Sequence, residues 1–149
     1  MKRICFVCLG NICRSPMAEF IMKDIVSKAN KSEKYQISSL ATSYEEEGNP
    51  LHRGASAQLR AKGIPFSERR ATVATKADYD KYDLFVCMED DNIRALYNRL
   101  GGDKDGKIIK LLDNADVADP YYTGNFALTY YDISLGCKNL FDKLERGEL

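Results

Sequence analysis

The sequence lacks a charge imbalance, a long apolar run and, but for one residue, histidine. Its 22 basic and 22 acidic residues cancel. That removes the global electrostatic reason to expect nucleic acid or an anionic membrane as a partner, although net charge says nothing about a single pocket. No apolar stretch approaches the ~20 residues needed to span a bilayer. The run after Lys2-Arg3 is short and broken by Gly10-Asn11 and Arg14, so no signal peptide is expected and Met1 reads as the start of the folded domain. With His52 as the sole histidine and no two C-x-x-C motifs to pair, zinc-ligand spacing is missing, and neither a metal nor another cofactor is expected. Cys5, Cys8, Cys13, Cys87 and Cys137 are odd in number and scattered. They do not form a secreted disulfide framework, and the expected setting is cytoplasmic, with reduced thiols. Repeats, low-complexity tracts and linkers are also missing. What remains is a 149-residue chain, 44% hydrophobic, sufficient for one domain over 1–149 whose core needs no disulfide or metal.

Short apolar runs alternate with segments of helical spacing. Arg3–Leu9 is almost wholly apolar, as a strand buried on both faces of a parallel sheet must be. Ser15-Pro16 opens a helix, with Ser as N-cap and Pro in the first turn; Met17, Phe20, Ile21, Ile25 and Val26 then recur at helical spacing. Tyr35–Ala41 is a second strand, followed by a polar loop from Thr42 to Pro50. Arg53–Lys62 reads as a helix stopped by Gly63-Ile64-Pro65. Asp83–Met88 is a third strand, Asp90–Leu100 a helix ended by Gly101-Gly102, and Lys107–Leu112 a fourth strand. An irregular stretch from Asp113 to Asn125 precedes a helix over Phe126–Leu144. The pattern predicts an α/β domain: a parallel sheet of about four strands with helices on both faces. Ligands of such sheets sit beyond the carboxyl ends of the strands, which directs attention to the loop after the first one.

That loop reads Cys8-Leu9-Gly10-Asn11-Ile12-Cys13-Arg14-Ser15. Between a buried strand and a helix N-terminus, its Gly-containing turn points successive N–H groups into one concave anion site. Such a potential favours the thiolate of a cysteine placed there. Arg14 offers a planar fork that grips two phosphate oxygens, which Lys cannot reproduce. Ser15 can cap the helix and donate to the sulfur or to a departing phosphate. Outside this context Cys8 and Cys13 would read as small buried hydrophobes and Arg14 as a surface residue. A Walker loop is excluded because its Gly-Lys-Ser/Thr element is missing.

From Val7 to Met17 the chain resembles the signature of the low-molecular-weight protein tyrosine phosphatases. Asp119-Pro120-Tyr121-Tyr122 is similar to that family's acid loop, and weaker likeness covers Gly48-Asn49-Pro50, His52-Arg53-Gly54, Asp78–Asp83 and Asn92. The resemblance implies a flavodoxin-like sheet order and a metal-independent phosphatase acting on a tyrosine-phosphorylated protein or a small aryl phosphate. In that reaction Cys8 is the nucleophile, Arg14 the phosphate clamp and Asp119 the general acid and base, with residues 9 to 15 of the loop binding phosphate. Taken alone, an Asp before Pro is a turn former; the first motif is what calls for an acid. The resemblance further implies that Tyr121 and Tyr122 wall the cleft and that Asn11 and Ser39 brace the loop from behind. It implies that Cys13 is a redox partner able to shield Cys8 as a disulfide. Relatives acting on phosphoarginine tend to carry Thr at the position of Ile12, so Ile12 favours phosphotyrosine.

The chain departs from better-known members at several positions. Glu45, in the acidic run Glu45-Glu46-Glu47, stands where eukaryotic members often place an aromatic at the cleft rim, and an acidic rim disfavours acidic phosphopeptides. Ser67-Glu68-Arg69-Arg70 lacks a bracing histidine, and Glu89 stands where an Asp is usual. Two rivals are an arsenate reductase of the same fold and a phospho-binding module without turnover. The first needs two resolving cysteines close together, whereas Cys87 and Cys137 lie 50 residues apart; the second would be expected had Cys8 or Asp119 been replaced.

Overall fold

Four strands form one parallel sheet in the computed structural model, which describes residues 1–149. They are β1 (Lys2–Cys8), β2 (Tyr35–Ala41), β3 (Leu84–Cys87) and β4 (Ile108–Lys110), in the flavodoxin-like order β2-β1-β3-β4. The helices are α1 (Arg14–Lys28), α2 (Arg53–Ala61), α3 (Asp90–Leu100), α4 (Pro120–Thr123) and α5 (Phe126–Glu145). β1 is central. It pairs with β2 from Lys2↔Tyr35 to Cys8↔Ala41 and with β3 from Ile4↔Leu84 to Val7↔Cys87. A strand in that place must be apolar on both faces, which is the composition read from the sequence.

Side chains along a strand point alternately to opposite faces. Ile4, Phe6 and Cys8, with Leu84 and Val86, join the larger core against Met17 and Ile21 of α1 and Ile133 and Leu140 of α5. Cys5, Val7, Phe85 and Cys87 face the other way, against Leu96 and Leu100 of α3 and against Tyr79. The chain leaves β1 for β2 through α1 and returns to β3 on the opposite flank. The carboxyl end of β1 is therefore the point where the winding reverses, and where such sheets leave a crevice. α5 reaches the sheet because Gly136 has no side chain: a Cβ there would lie 2.6 Å from Leu111.

Three local features differ from expectation. α1 begins at Arg14, with Cys13 at the N-cap position and no side-chain cap, in place of the expected Ser15 cap; the Ser15 hydroxyl is turned inward instead. The stretch read as irregular contains the short helix α4, with Asp119 as N-cap and Pro120 in its first turn. A 3₁₀ turn at Lys76–Lys81 is fixed by a reciprocal cap between Thr75 and Asp78. No helix is long and apolar enough to cross a membrane.

At the amino end of the sheet, Arg3 Nη2 donates to Asp83 Oδ1 at 2.9 Å and Arg3 Nε to Oδ2 at 3.1 Å, tying β1 to the start of β3. These hydrogen bonds hold the Asp83 carboxyl down at about 2, below its ordinary range. The pair therefore stabilises the fold above about pH 4, and the contribution fades as the pH falls through about 2. With side chains 37% and 34% exposed, solvent screening keeps the contribution small. Urea unfolding of wild type and Asp83→Asn should show a small gap near neutral pH and less than half of it at about pH 2.5. A gap independent of pH would contradict the assignment.

Candidate active site

At the carboxyl ends of β1 and β3 lies a cavity of about 170 Å³, lined by the residues from Cys8 to Arg14 together with Glu45, Glu46, Asp119, Tyr121 and Tyr122. The sequence places these residues in three segments, the first and last more than a hundred positions apart, and the fold brings them to one opening.

Cys8 ends β1 and is 3% exposed. Three donors meet its sulfur: the Ser15 hydroxyl at 3.0 Å, the Asn11 N–H at 3.3 Å and the Ser15 N–H at 3.4 Å. This set suits a thiolate, which only accepts. It also explains the uncapped start of α1, since the hydroxyl that sequence logic assigns to the cap is held against Cys8. The turn that wraps the sulfur needs a left-handed residue, and Asn11 supplies it at φ +58°, a region Asn tolerates better than most residues. Asn11 is fully buried. Its Nδ2 donates to Ser15 Oγ at 2.8 Å and Ser39 Oγ at 3.0 Å, while its Oδ1 accepts from the Thr72 N–H at 3.1 Å and from Arg69. Further backbone bonds hold the loop: the N–H of Thr42 to the carbonyls of Cys8 and Leu9, that of Ser43 to Leu9, and that of His52 to Ile12.

Arg14 is 2% exposed. Burying an ion without compensation costs several kcal/mol. Here Nη1 donates to Glu89 Oε2 at 2.8 Å and the Val117 carbonyl at 2.9 Å, and Nη2 to Asp119 Oδ2 at 3.3 Å. Burial works against the guanidinium charge, but Cys8, Asp119 and Glu89 outweigh it and hold the group above its ordinary value. Asp119 divides its oxygens: Oδ1 accepts from the Tyr121 N–H at 3.0 Å as the cap of α4, while Oδ2 meets Arg14. The acid loop is pinned on both sides. Val117 N–H donates to the Met88 carbonyl, Lys110 pairs with Asp116 at 2.9 Å, and Thr129 Oγ1 of α5 donates to the Ala118 carbonyl at 3.1 Å.

Tyr121 and Tyr122 stand out from this floor at 58% and 76% exposure, their rings edge to face at 5.3 Å. They are wall and not core. His52 backs them, its ring stacked on Phe126 at 5.1 Å and edge-on to Tyr121 at 6.2 Å. Gly54 makes that stack possible, because a Cβ would lie 2.5 Å from the Phe126 ring. Glu45 and Glu46 form the opposite rim, and Asn49 Nδ2 holds the Glu46 carboxylate at 2.6 Å. Ile12 and Leu9 line the cavity between these walls.

All five cysteines are free and buried. Burial, joined by Cys8 and Asp119 against the pull of Arg14, pushes the Cys13 thiol up to about 12. Cys87 and Cys137 are raised further by burial and sit in different cores, on opposite sides of the sheet. They do not form the close resolving pair an arsenate reductase needs.

Sequence reasoning did not foresee three contacts. Glu89, noted as a departure, grips Arg14. Arg69 donates to Asn11 from behind the loop, in the stretch said to lack a bracing histidine. His52 ties the loop to the tyrosine wall. The positions stood out in the sequence but their contacts did not, because each contact depends on a neighbour distant along the chain.

Lysine at position 14 would bring one nitrogen where three acceptors and an anion need a fork. With ~1.5–3 kcal/mol for a hydrogen bond to a charged group, Arg14→Lys should weaken tungstate binding, measured by calorimetry, about tenfold or more. Wild-type affinity in that variant would remove Arg14 from the anion site.

Comparison with known proteins places this arrangement in context. The profile described as low molecular weight phosphotyrosine protein phosphatase matches residues 3–148. The low molecular weight protein-tyrosine-phosphatase YfkJ of Bacillus subtilis is 38% identical, over 98% of this chain and 97% of its own. Its crystal structure superposes with a TM-score of 0.94. The human low molecular weight phosphotyrosine protein phosphatase is 35% identical over 95% of each chain. The structure of SP-PTP, a low molecular weight protein tyrosine phosphatase from Streptococcus pyogenes, matches with a TM-score of 0.90 and 40% identity, over 97% of this chain and 93% of that one.

Proposed function

Since the chain belongs to the low molecular weight phosphotyrosine protein phosphatase family, and is an enzyme of that class, we propose that it hydrolyses aryl phosphomonoesters in two steps through a phosphocysteine on Cys8. One observation carries this reading: the sulfur that receives three hydrogen-bond donors shares its cavity with a buried arginine and with a carboxylate on a separate loop.

In the first step Cys8 Sγ attacks phosphorus and the ester P–O bond breaks. The leaving phenolate oxygen takes its proton from Asp119. Loop amides and the Arg14 fork stabilise charge on the equatorial oxygens. In the second step Asp119, now a carboxylate, takes a proton from water as its oxygen attacks the phosphocysteine. Inorganic phosphate leaves and the Cys8 thiolate returns, accepting from Ser15. Every step is balanced by groups of this chain and water. Residues Leu9, Gly10, Asn11, Ile12, Cys13, Arg14 and Ser15 hold the phosphate, with Asn11 and Ser39 supporting the loop; Tyr121 and Tyr122 flank the substrate ring, and Glu45 marks the rim. The substrate is a tyrosine-phosphorylated protein or a small aryl phosphate, acted on by one phosphatase domain over 1–149. The odd cysteine count favours a reducing, cytoplasmic setting.

Cys13 is the redox partner in this reading. Peroxide converts Cys8 to its sulfenic acid, Cys13 sulfur displaces water from it, and the disulfide that forms blocks further oxidation until a dithiol reduces it.

Hydrolysis of p-nitrophenyl phosphate should persist in EDTA and disappear in Cys8→Ser; activity that needs a metal or survives loss of Cys8 would falsify the mechanism. Asp119→Asn should lower turnover on phenyl phosphate by about 10²–10⁴-fold with phosphate affinity little changed, and near-normal turnover would show that the acid lies elsewhere. After peroxide, dithiothreitol should restore wild type but leave Cys13→Ser largely inactive. Equal recovery in both would dismiss the redox role.

A further inference from the structure

Behind the phosphate loop lies a chain of polar contacts whose two ends are groups of fixed character. Arg69 stands at one end and can only donate. Glu19, on α1, stands at the other as an acceptor. Between them sit Asn11, Ser39 and Ser15, each able to point its hydrogens more than one way. Arg69 Nη2 donates to Asn11 Oδ1, as does the Thr72 N–H at 3.1 Å. The oxygen of the Asn11 amide must therefore face position 69, and its nitrogen must face forward. That nitrogen donates to Ser39 Oγ at 3.0 Å and Ser15 Oγ at 2.8 Å. Ser39 then has its own hydrogen free for Glu19 Oε1 at 2.6 Å. Ser15, having accepted from Asn11, has its hydrogen free for Cys8 Sγ at 3.0 Å. Were the amide turned over, two donors would face Arg69 and the Thr72 N–H, and Ser15 would spend its hydrogen on Asn11.

We propose that Arg69 is a positioning residue for Cys8: as a permanent donor it fixes the Asn11 amide and thereby aims the Ser15 hydroxyl proton at the nucleophilic sulfur. The inference rests on the phosphocysteine reading above. The neutral Thr72 N–H sets the same direction, but the guanidinium adds a charge to it, and a hydrogen bond from a charged donor is the harder one to exchange. Burial lowers the Arg69 guanidinium from its ordinary value, while Glu19 and Cys8 pull it back; an arginine nevertheless stays charged at working pH. Its Nη1 is buried without a partner, so position 69 accepts an unsatisfied donor in order to present the other one. A neutral side chain of similar reach would avoid that cost but leave the direction of the network to Thr72 alone.

The effect on catalysis is specific in kind. The Ser15 hydrogen bond is strongest when sulfur carries its full negative charge, is weakened in the phosphocysteine, and strengthens again as Cys8 leaves phosphorus in the second step. Loss of Arg69 should therefore lower kcat and spare binding.

The test compares wild type, Arg69→Met, Arg69→Gln and Arg69→Lys. It measures kcat and KM for p-nitrophenyl phosphate, inhibition by inorganic phosphate, and the rate at which iodoacetamide alkylates the Cys8-containing peptide at neutral pH, followed by mass spectrometry. In Arg69→Met, kcat and the Cys8 alkylation rate should each fall about tenfold, with KM and the phosphate inhibition constant changed less than about twofold. Arg69→Lys, a permanent donor, should recover most of the loss, and Arg69→Gln, which presents either end of an amide, should not. Should Arg69→Met be insoluble, the Gln and Lys pair carries the same contrast. Two outcomes overturn the proposal: kcat and alkylation unchanged in both neutral variants, or kcat falling together with phosphate affinity, which marks a collapsed loop. Alkylation needs no turnover, so it separates failure of this inference from failure of the phosphatase reading, which appears as wild type inactive on the aryl phosphate.

Discussion

A guanidinium with almost no surface in water must find its solvation inside the protein, and much of this site is arranged around that demand. Arg14 takes it from Glu89 at the start of α3, from the carbonyl of Val117 and from Asp119. The three acceptors come from two segments, both following strands adjacent to β1 or beyond it in the sheet. Satisfying one cation therefore fixes the distance between the loop that holds Cys8 and the loop that holds Asp119. Remove the cation, and the carboxylates of Glu89 and Asp119 both lose their counter-charge. Nucleophile, clamp and acid are mutually positioned because the charges require it.

The elements were legible because their signals are local. Apolar runs of strand length, Gly63-Ile64-Pro65 and Gly101-Gly102 as stops, and alternation of strand and helix all lie within a few residues of what they specify. The observed strands and long helices fall within one or two residues of the expected bounds at most ends. Two features were missed although their signals were present. Thr75 to Asp78 has the spacing of a reciprocal cap, and Asp119-Pro120 carries both an N-cap and a first-turn proline. In each the element is too short to show apolar periodicity, so the cap is its only trace. The expected cap at Ser15 failed for the opposite reason. A serine there satisfies the local rule, but a buried sulfur seven residues earlier is a more demanding partner than an amide at a helix end.

At the site, residue types were legible and their partners were not. Cys8, Arg14 and Asp119 could be named from motifs, but the acceptors of Arg14 could not, since Glu89 and Val117 become its neighbours only through the sheet order. The departures noted in the sequence acquire reasons in the structure. Glu89 has the reach to meet Nη1 and caps α3 as well. Arg69 occupies the space behind Asn11 and makes the contact that seemed to be missing. The acidic stretch from Glu45 to Glu47 is likewise not all loose: Glu46 is tied to Asn49 and packs near Gly10, while Glu45 is open to solvent at the rim.

The alternation of β1 and β3 has one more consequence, for the cysteines of this chain. Cys5 and Cys87 face the smaller core, Cys137 faces the larger one, and burial keeps all three protonated, as it does Cys13. The fold thus gives five chemically identical groups different surroundings. Only the sulfur at the end of β1 combines an opening to solvent with amide donors. Among five cysteines it is thereby the one whose sulfur meets backbone N–H groups, a distinction that belongs to its place at the end of the strand and not to the residue type.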